Sequence, residues 1–499
     1  MRRVVLIGSG ATALAVLNTL ANRNGIHVTL VRPPRELPSA SGVGSGLPIA
    51  HSVEASIAEL RSELGLKFPP PKSHFGMMPE TLHVQGWGNI WRSNLHGGLT
   101  QFWGGSMVPF TEREFRRWPI GRSELDDDYR AIAERVGITG AEDALRAYLH
   151  DDFAKMPPID PVSAIGTLTK RICSVEGSSF ETLAGAPRLA VETRSSEHNT
   201  CKYTGECMTG CSRGAVFSAR NAIEFHLAQE EISEECRGIA ERIDFDRYNV
   251  QVRLENGTLA QIDYDLIFIC AGCVHSTELI MKSLETNPET PISDNMILSF
   301  PVFYGGNLSQ DSGAGGYLAL TNGMIILAPH DAEAPATFVQ LYPNPDYFWQ
   351  YNLPRWIWPT LTGIARMGRR RLFWARAYVA SEHSQAYEFM RAADGTALEL
   401  ALARPPNLAV FTESIWPRLR QSFANAGFWV PPMGPAKART SSHYAGGFPM
   451  GGTLVGKDGA LGNGVFLCDS ANFPDCPALS PTFTAMANAR RIARHALQT

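Results

Sequence analysis

Residues 4–21, VVLIGSGATALAVLNTLA, decide the fold class. Val4 to Ile7 make a short, wholly apolar run, the kind that fills a strand buried on both faces. Gly8 and Gly10 then permit a tight turn and a close backbone approach to a pyrophosphate, and Ala13 stands where a third small residue belongs. Ala13, Leu14, Leu17 and Leu20 recur on one side of the helix that follows. Its free N–H groups and positive dipole end suit phosphate. The next strand, HVTLV at 27–31, ends at Arg32, where an acidic residue for the ribose hydroxyls is expected. Glu36 is the nearest carboxylate, so either Glu36 reaches back or the ribose is held differently.

The chain is 499 residues long, which favours two domains over one core. Apolar residues at 44% and charged residues at 19% fit a well-buried globular protein and exclude a disordered one. A formal net charge of −4 gives no general attraction for nucleic acid. No apolar run approaches the roughly 18 residues of a membrane span, so no transmembrane segment is expected. The two N-terminal arginines ahead of apolar residues imitate a secretion signal, but Gly8 and Gly10 interrupt the apolar core and no cleavage site follows. Nine scattered cysteines, with Cys270 inside the apolar LIFICAG, do not make a disulfide framework. A reducing, cytoplasmic setting is expected, with export alongside a signal-bearing partner left open.

Further along, residues 241–283 carry two alternating strands joined through Asn256-Gly257, a hairpin signal. A buried strand from Leu266 to Cys270, a small-residue turn at Ala271-Gly272 and another helix follow. An inserted hairpin ahead of a second strand–turn–helix is typical of flavoproteins rather than nicotinamide dehydrogenases. Near the C-terminus come SSHYAGGFPMGG (441–452) and GVFLCD (464–469), where Asp469 closes a buried strand. Pro481 suits the first turn of the last helix, with Ser480 as its N-cap. Between these ends lies HGGLTQFWGGSMVPFTEREFRRWPI, residues 96–120.

In this order, the four stretches resemble the glucose–methanol–choline (GMC) family of FAD-dependent oxidoreductases, over residues 1–130, 200–285 and 435–499. The resemblance implies an α/β chain: a Rossmann-like FAD-binding domain and a second, α+β substrate domain built on an antiparallel sheet. It implies residues 1–130, 200–285 and 441–499 for the first and 131–199 and 286–440 for the second. FAD would meet Gly8, Gly10, Ala13 and Glu36 at its dinucleotide end, and Trp103, Gly104 and Gly105 in a segment that embraces the flavin. Ala271 would lie beside it, and Asp469 would accept from ribityl hydroxyls. Pro481 and Thr482 would place the last helix's positive end by the flavin pyrimidine.

What the resemblance implies chemically is oxidation of a CH–OH group in a small-molecule alcohol or sugar-like substrate, with hydride passing to flavin N5. His443, ahead of the MGG loop, matches the family's base, and a histidine suits that task because its ordinary pKa lies near operating pH. The second catalytic position of the family falls on Ser480, where asparagine or histidine is usual. Glu382, in ARAYVASEHSQ, is a further candidate, expected on a substrate-domain strand facing the flavin.

Cys201, Cys207 and Cys211 are spaced C-x5-C-x3-C among Gly205, Gly210 and Gly214. Such a segment is similar to one in the bacterial branch of FAD sugar dehydrogenases, where three thiolates hold a [3Fe–4S] cluster and pass electrons to an outside acceptor protein or small subunit. Zinc with His198, a disulfide in an exported protein, and plain packing of small residues are the alternatives. A cluster-free oxidase using dioxygen, and a flavin subunit serving electron transfer in a complex, compete with the dehydrogenase reading. Residues 286–440 match the family least. Tyr347, Phe348, Trp349, Trp356 and Trp358, with Arg369 to Arg371, could line a substrate entrance or a membrane surface, or simply cover a helix.

Overall fold

A computed structural model describes residues 1–21, 23–34, 80–175, 177–205, 207, 211, 213–307, 318–344, 368, 371–391, 398–432, 434–437 and 441–498. The aromatic stretch from Tyr347 to Trp358, with Arg369, and Glu36 lie outside these residues.

The opening run forms the strand Arg2–Ile7 at the centre of an eight-stranded sheet. It pairs in parallel with Ile26–Arg32 on one side and Leu266–Ile269 on the other, with Val4 opposite both Val28 and Leu266. Val465–Leu467 adds a further parallel strand beyond Leu266–Ile269. Four strands near-continuously apolar can sit together only if both faces are covered. Helix Ala11–Leu20 covers one face and packs on the C-terminal helix Thr482–Ala496. The other end of the sheet is a meander, Glu234–Asp244, Asn249–Leu254 and Leu259–Asp263, whose last two strands turn at Asn256-Gly257 with Gly257 at φ +81°. The first of the three also runs parallel to Ile26–Arg32 and so joins the meander to the parallel strands.

A seven-stranded antiparallel sheet forms the second lobe, with Met296–Tyr304, Leu372–Val379, Thr337–Pro343 and Gly323–Pro329 at its centre. Alternation along these strands separates two faces. Ile325, Leu327, Val339, Leu341, Ala375 and Ala377 form an outer core with helices Ser163–Arg171 and Trp416–Asn425. Phe338, Gln340 and Tyr378 face the other way, toward the lobe built on the parallel sheet. A six-stranded sheet bridges the lobes and places Tyr444–Ala445 against Ile292–Asp294, with Tyr444 opposite Asp294. The chain thus combines a Rossmann-like parallel sheet with a second lobe built on an antiparallel sheet. No helix among the described residues is long and apolar enough to cross a membrane.

Candidate active site

The glycine turn after the first strand is enforced by contact. Gly8 sits at φ +111°, and a Cβ there would lie 2.2 Å from the Cys270 carbonyl oxygen. Gly10 is different: a Cβ at Gly10 would meet nothing within 4 Å, so its bare backbone leaves open space at the N-terminus of helix Ala11–Leu20. That helix has no side-chain cap and no acidic residue in its first turn. Its free N–H groups therefore suit an anion. Ala13 is fully buried against the sheet.

Residues 97 and 98 press on this turn. The Gly97 amide donates to Ser9 Oγ at 3.3 Å, and a Cβ at Gly98 would approach Gly10 Cα to 3.3 Å. His96, one residue earlier, is wholly buried, yet neither ring nitrogen has a partner among the described residues. Burial, and after it the charges of Arg32 and Arg220, lower its pKa to about 3. A buried neutral imidazole with an idle donor and an idle acceptor is costly unless a ligand completes it. Arg32 does not hold an open ribose position by itself; its guanidinium pairs with Glu235 on the adjacent strand and donates to the Pro33 carbonyl at 3.2 Å.

Asp469 is already engaged by the protein. Its Oδ2 accepts from the Gly272 amide at 2.8 Å and from Ser276 Oγ at 2.5 Å, and its Oδ1 from the Ala471 amide at 3.0 Å. These donors offset the burial that pushes its pKa up. The carboxylate thus ties the Ala271-Gly272 turn to the last strand of the sheet. Trp103 anchors its segment through Nε1 to the Phe217 carbonyl at 2.9 Å. Gly104 stands where a Cβ would be 4.0 Å from the Tyr342 hydroxyl, and Gly105 adopts φ +72° as its carbonyl accepts from the Ala190 amide at 2.7 Å.

Ser480 is not a helix cap. The last helix begins at Thr482 with Pro481 in the cap position, and no side chain caps it. The buried Ser480 hydroxyl instead meets Ser106 Oγ at 3.0 Å. Ser106 accepts from Gln340 Nε2 at 3.1 Å. Gln340 Oε1 in turn accepts from the hydroxyls of Tyr342 and, at 3.2 Å, Tyr378. The Tyr378 ring stacks on His443, centroids 5.5 Å apart and planes 20° apart. A continuous polar wall therefore runs from the start of the last helix to His443. Its members from the second lobe escape sequence reading because Gln340, Tyr342 and Tyr378 are polar tips at alternate positions of otherwise apolar strands.

His443 is half-buried, and the packed shell around it lowers its pKa to about 4 by desolvation. Its Nδ1 lies 3.1 Å from Asn295 Oδ1, and its amide donates to Ser441 Oγ at 3.0 Å. Glu382 stands apart from this ring. It lies in the 3-10 turn Ser381–His383 that follows the strand, not on the strand, and its carboxylate pairs with Arg117 at 3.3 Å and His383 at 3.4 Å.

Cys201, Cys207 and Cys211 lie near enough to act on one another electrostatically. No group of three or more His, Cys, Asp or Glu side chains able to hold a metal ion occurs among the described residues, so the expected [3Fe–4S] site and the zinc alternative with His198 find no support there. All three thiols are free and partly buried. Burial raises Cys201 despite the nearby Lys202 and pushes Cys207 up to about 12. Burial thus favours the protonated form at Cys201 and Cys207.

No family model and no curated protein matches the chain. Its fold is similar to that of solved structures. Pyridoxine 4-oxidase from Mesorbium loti matches at 14% identity and TM-score 0.63, over 100% of each chain. Formate oxidase matches at 12% identity and TM-score 0.61, over 100% of this chain and 98% of that one.

Proposed function

We propose that this chain is an FAD-dependent oxidoreductase of the GMC type that oxidises a CH–OH group of a small alcohol or sugar-like molecule, with dioxygen as the electron acceptor. One observation carries the reading: a neutral histidine, His443, joined by a buried polar wall to the uncapped N-terminus of the last helix. The full-length likeness to two enzymes named as oxidases supports the reaction class and the acceptor.

The residues present fit a dinucleotide. The open space at Gly10 lies at the free N-terminus of helix Ala11–Leu20, and His96, with two idle nitrogens, directly precedes the Gly97–Gly98 pair that presses on this turn. Ala271, Trp103 to Gly105, Pro481 and Thr482 would border the rest, with Asp469 holding the turn at Gly272 rather than the ribityl chain. FAD, when bound, supplies a two-electron acceptor. The chain's own part is to hold the substrate hydroxyl and take its proton at His443, whose lowered pKa keeps the imidazole in its accepting form. Ser480 and Ser106 keep the wall in place. The substrate domain contributes Gln340 and Tyr378 as fixed polar groups beside the base.

The test is an absorbance spectrum of the purified protein, followed by anaerobic mixing with a panel of alcohols and sugars. Bound oxidised flavin, bleached by one of these and restored by air with release of peroxide, is expected, with no stoichiometric iron. A colourless protein that does not take up FAD overturns the proposal. Loss of His96 gives a second check. His96→Leu is expected to weaken FAD binding by about tenfold or more, since it removes polar groups that only the ligand satisfies. The same change should leave the FAD-free protein no less stable. Fluorescence titration of apoprotein with FAD and thermal unfolding of the apoprotein read the two effects.

A further inference from the structure

We infer that Asn295 is the residue that positions the base: it fixes His443 with its proton on Nδ1 and so leaves Nε2 as the proton-accepting nitrogen, an inference that rests on the reading of His443 given above. Asn295 is wholly buried at the end of the short strand Ile292–Asp294. Its amide nitrogen donates to the Pro477 carbonyl at 2.8 Å and the Ala478 carbonyl at 3.4 Å. Carbonyl oxygens only accept, so these two contacts settle which end of the amide is the NH2 group. The other end, Oδ1, is therefore what faces His443 Nδ1 at 3.1 Å. An amide oxygen cannot donate, so Nδ1 carries the proton, and a neutral imidazole then has its lone pair on Nε2.

The residue before it completes the clamp. Asp294, also fully buried, accepts from Gln385 Nε2 at 2.8 Å, from the Tyr387 hydroxyl at 2.9 Å and from the hydroxyl of Ser441. Ser441 Oγ is the atom to which the His443 amide donates. Asp294 thus holds the backbone of the 441–443 loop while Asn295 holds the ring. From the opposite side Cys476 donates its thiol proton to the His443 carbonyl at 3.2 Å. The ring's other neighbour is Tyr378. Among the described residues no carboxylate bonds to the imidazole directly: Asp294 acts through Ser441. An uncharged partner is what a base needs if it is to stay neutral, because a carboxylate at Nδ1 would favour the imidazolium.

Nitrogen-15 NMR of the holoenzyme labelled at histidine rings tests this, with the His443 signals assigned by their loss in His443→Gln. The expected result is a protonated Nδ1 and an unprotonated Nε2 at neutral pH. A protonated Nε2 in the native protein overturns the inference with no variant needed. In Asn295→Ala the preference for Nδ1–H should be lost, with kcat lowered about 10- to 100-fold and KM little changed. In Asn295→Asp the acid limb of the pH profile should move up by about 1 unit or more. An unchanged tautomer in Asn295→Ala, or an unmoved acid limb in Asn295→Asp, also overturns it. A tautomer that shifts in Asn295→Ala while turnover stays the same supports the positioning and instead overturns the role of His443 as base.

Discussion

Replacing His443 by alanine is expected to lower turnover by roughly 10²- to 10⁴-fold while leaving FAD content and folding nearly intact. The residue is half-buried and, among the described residues, its ring is held by one side-chain hydrogen bond and one stacking contact, so its removal leaves a modest gap rather than a collapsed core. Single-turnover reduction of the bound flavin under anaerobic conditions measures the chemical step without interference from reoxidation. Retention of activity within a few-fold would remove His443 from the reaction and favour a flavin protein whose task is electron transfer. The pH profile carries a second expectation. Desolvation lowers the pKa of His443 to about 4, so the accepting form persists well below neutrality and the acid limb should lie near pH 4 rather than near 6.5. The same shift bears on stability. The unfolded chain takes up a proton near pH 6.5 and the folded chain only near 4. This group's contribution is therefore complete above 6.5 and lost as pH falls from there toward 4.

Arg188→Ala is expected to destabilise the protein by about 3–5 kcal/mol, the range for removing one partner of a buried ion network. Arg188 is the largest fully buried side chain, and Asp151 beside it is also fully buried. Its Nε donates to Asp151 Oδ2 at 2.5 Å, and its two terminal nitrogens donate to Asp143 at 2.9 and 3.0 Å. Deleting the guanidinium strands Asp151 in a shell where burial already pushes its pKa up. Asp143 would keep other work, since it accepts from the Leu145 amide at the start of helix Ala144–Leu149 and from the Ala186 amide. Arg188→Lys should rescue little, because a single ammonium cannot serve both carboxylates in the fork geometry. The consequence reaches the site. The Arg188 carbonyl accepts from the Met107 amide at 2.9 Å, next to Ser106 of the polar wall. Urea unfolding should show a lower midpoint with an unchanged slope, accompanied by weaker FAD retention. A loss below about 1 kcal/mol would mean that the network contributes no more than an exposed pair.

The parts of the fold that were legible share one property: they are local. Val4 to Ile7, the glycine at position 8 and the turn at Asn256-Gly257 announce themselves because strand, turn and helix have their own periods and their own backbone demands. Ser480 shows the limit of such reasoning. A serine ahead of proline and a helix reads as an N-cap, yet its hydroxyl turns to Ser106, a partner 374 residues away that no local pattern names. Asp469 likewise stands two residues past the strand Val465–Leu467, capping the turn after it through the Ala471 amide, but its other donors, the Gly272 amide and Ser276 Oγ, come from a distant segment brought alongside by parallel pairing.

By itself, then, the sequence determined the strand–glycine turn–helix unit and the two-lobed α/β plan, and it singled out the histidine proposed as the base, since each rests on residues close together in the chain. Only the tertiary structure decided which groups serve that histidine. Tyr378 and Gln340 come from two strands of the second lobe and Asn295 from the link between Ile292–Asp294 and Met296–Tyr304, and their places depend on strand order and register rather than on composition. Nor could spacing show how deeply Cys201 and Cys207 sit, since the burial that raises both thiols is a property of the folded whole.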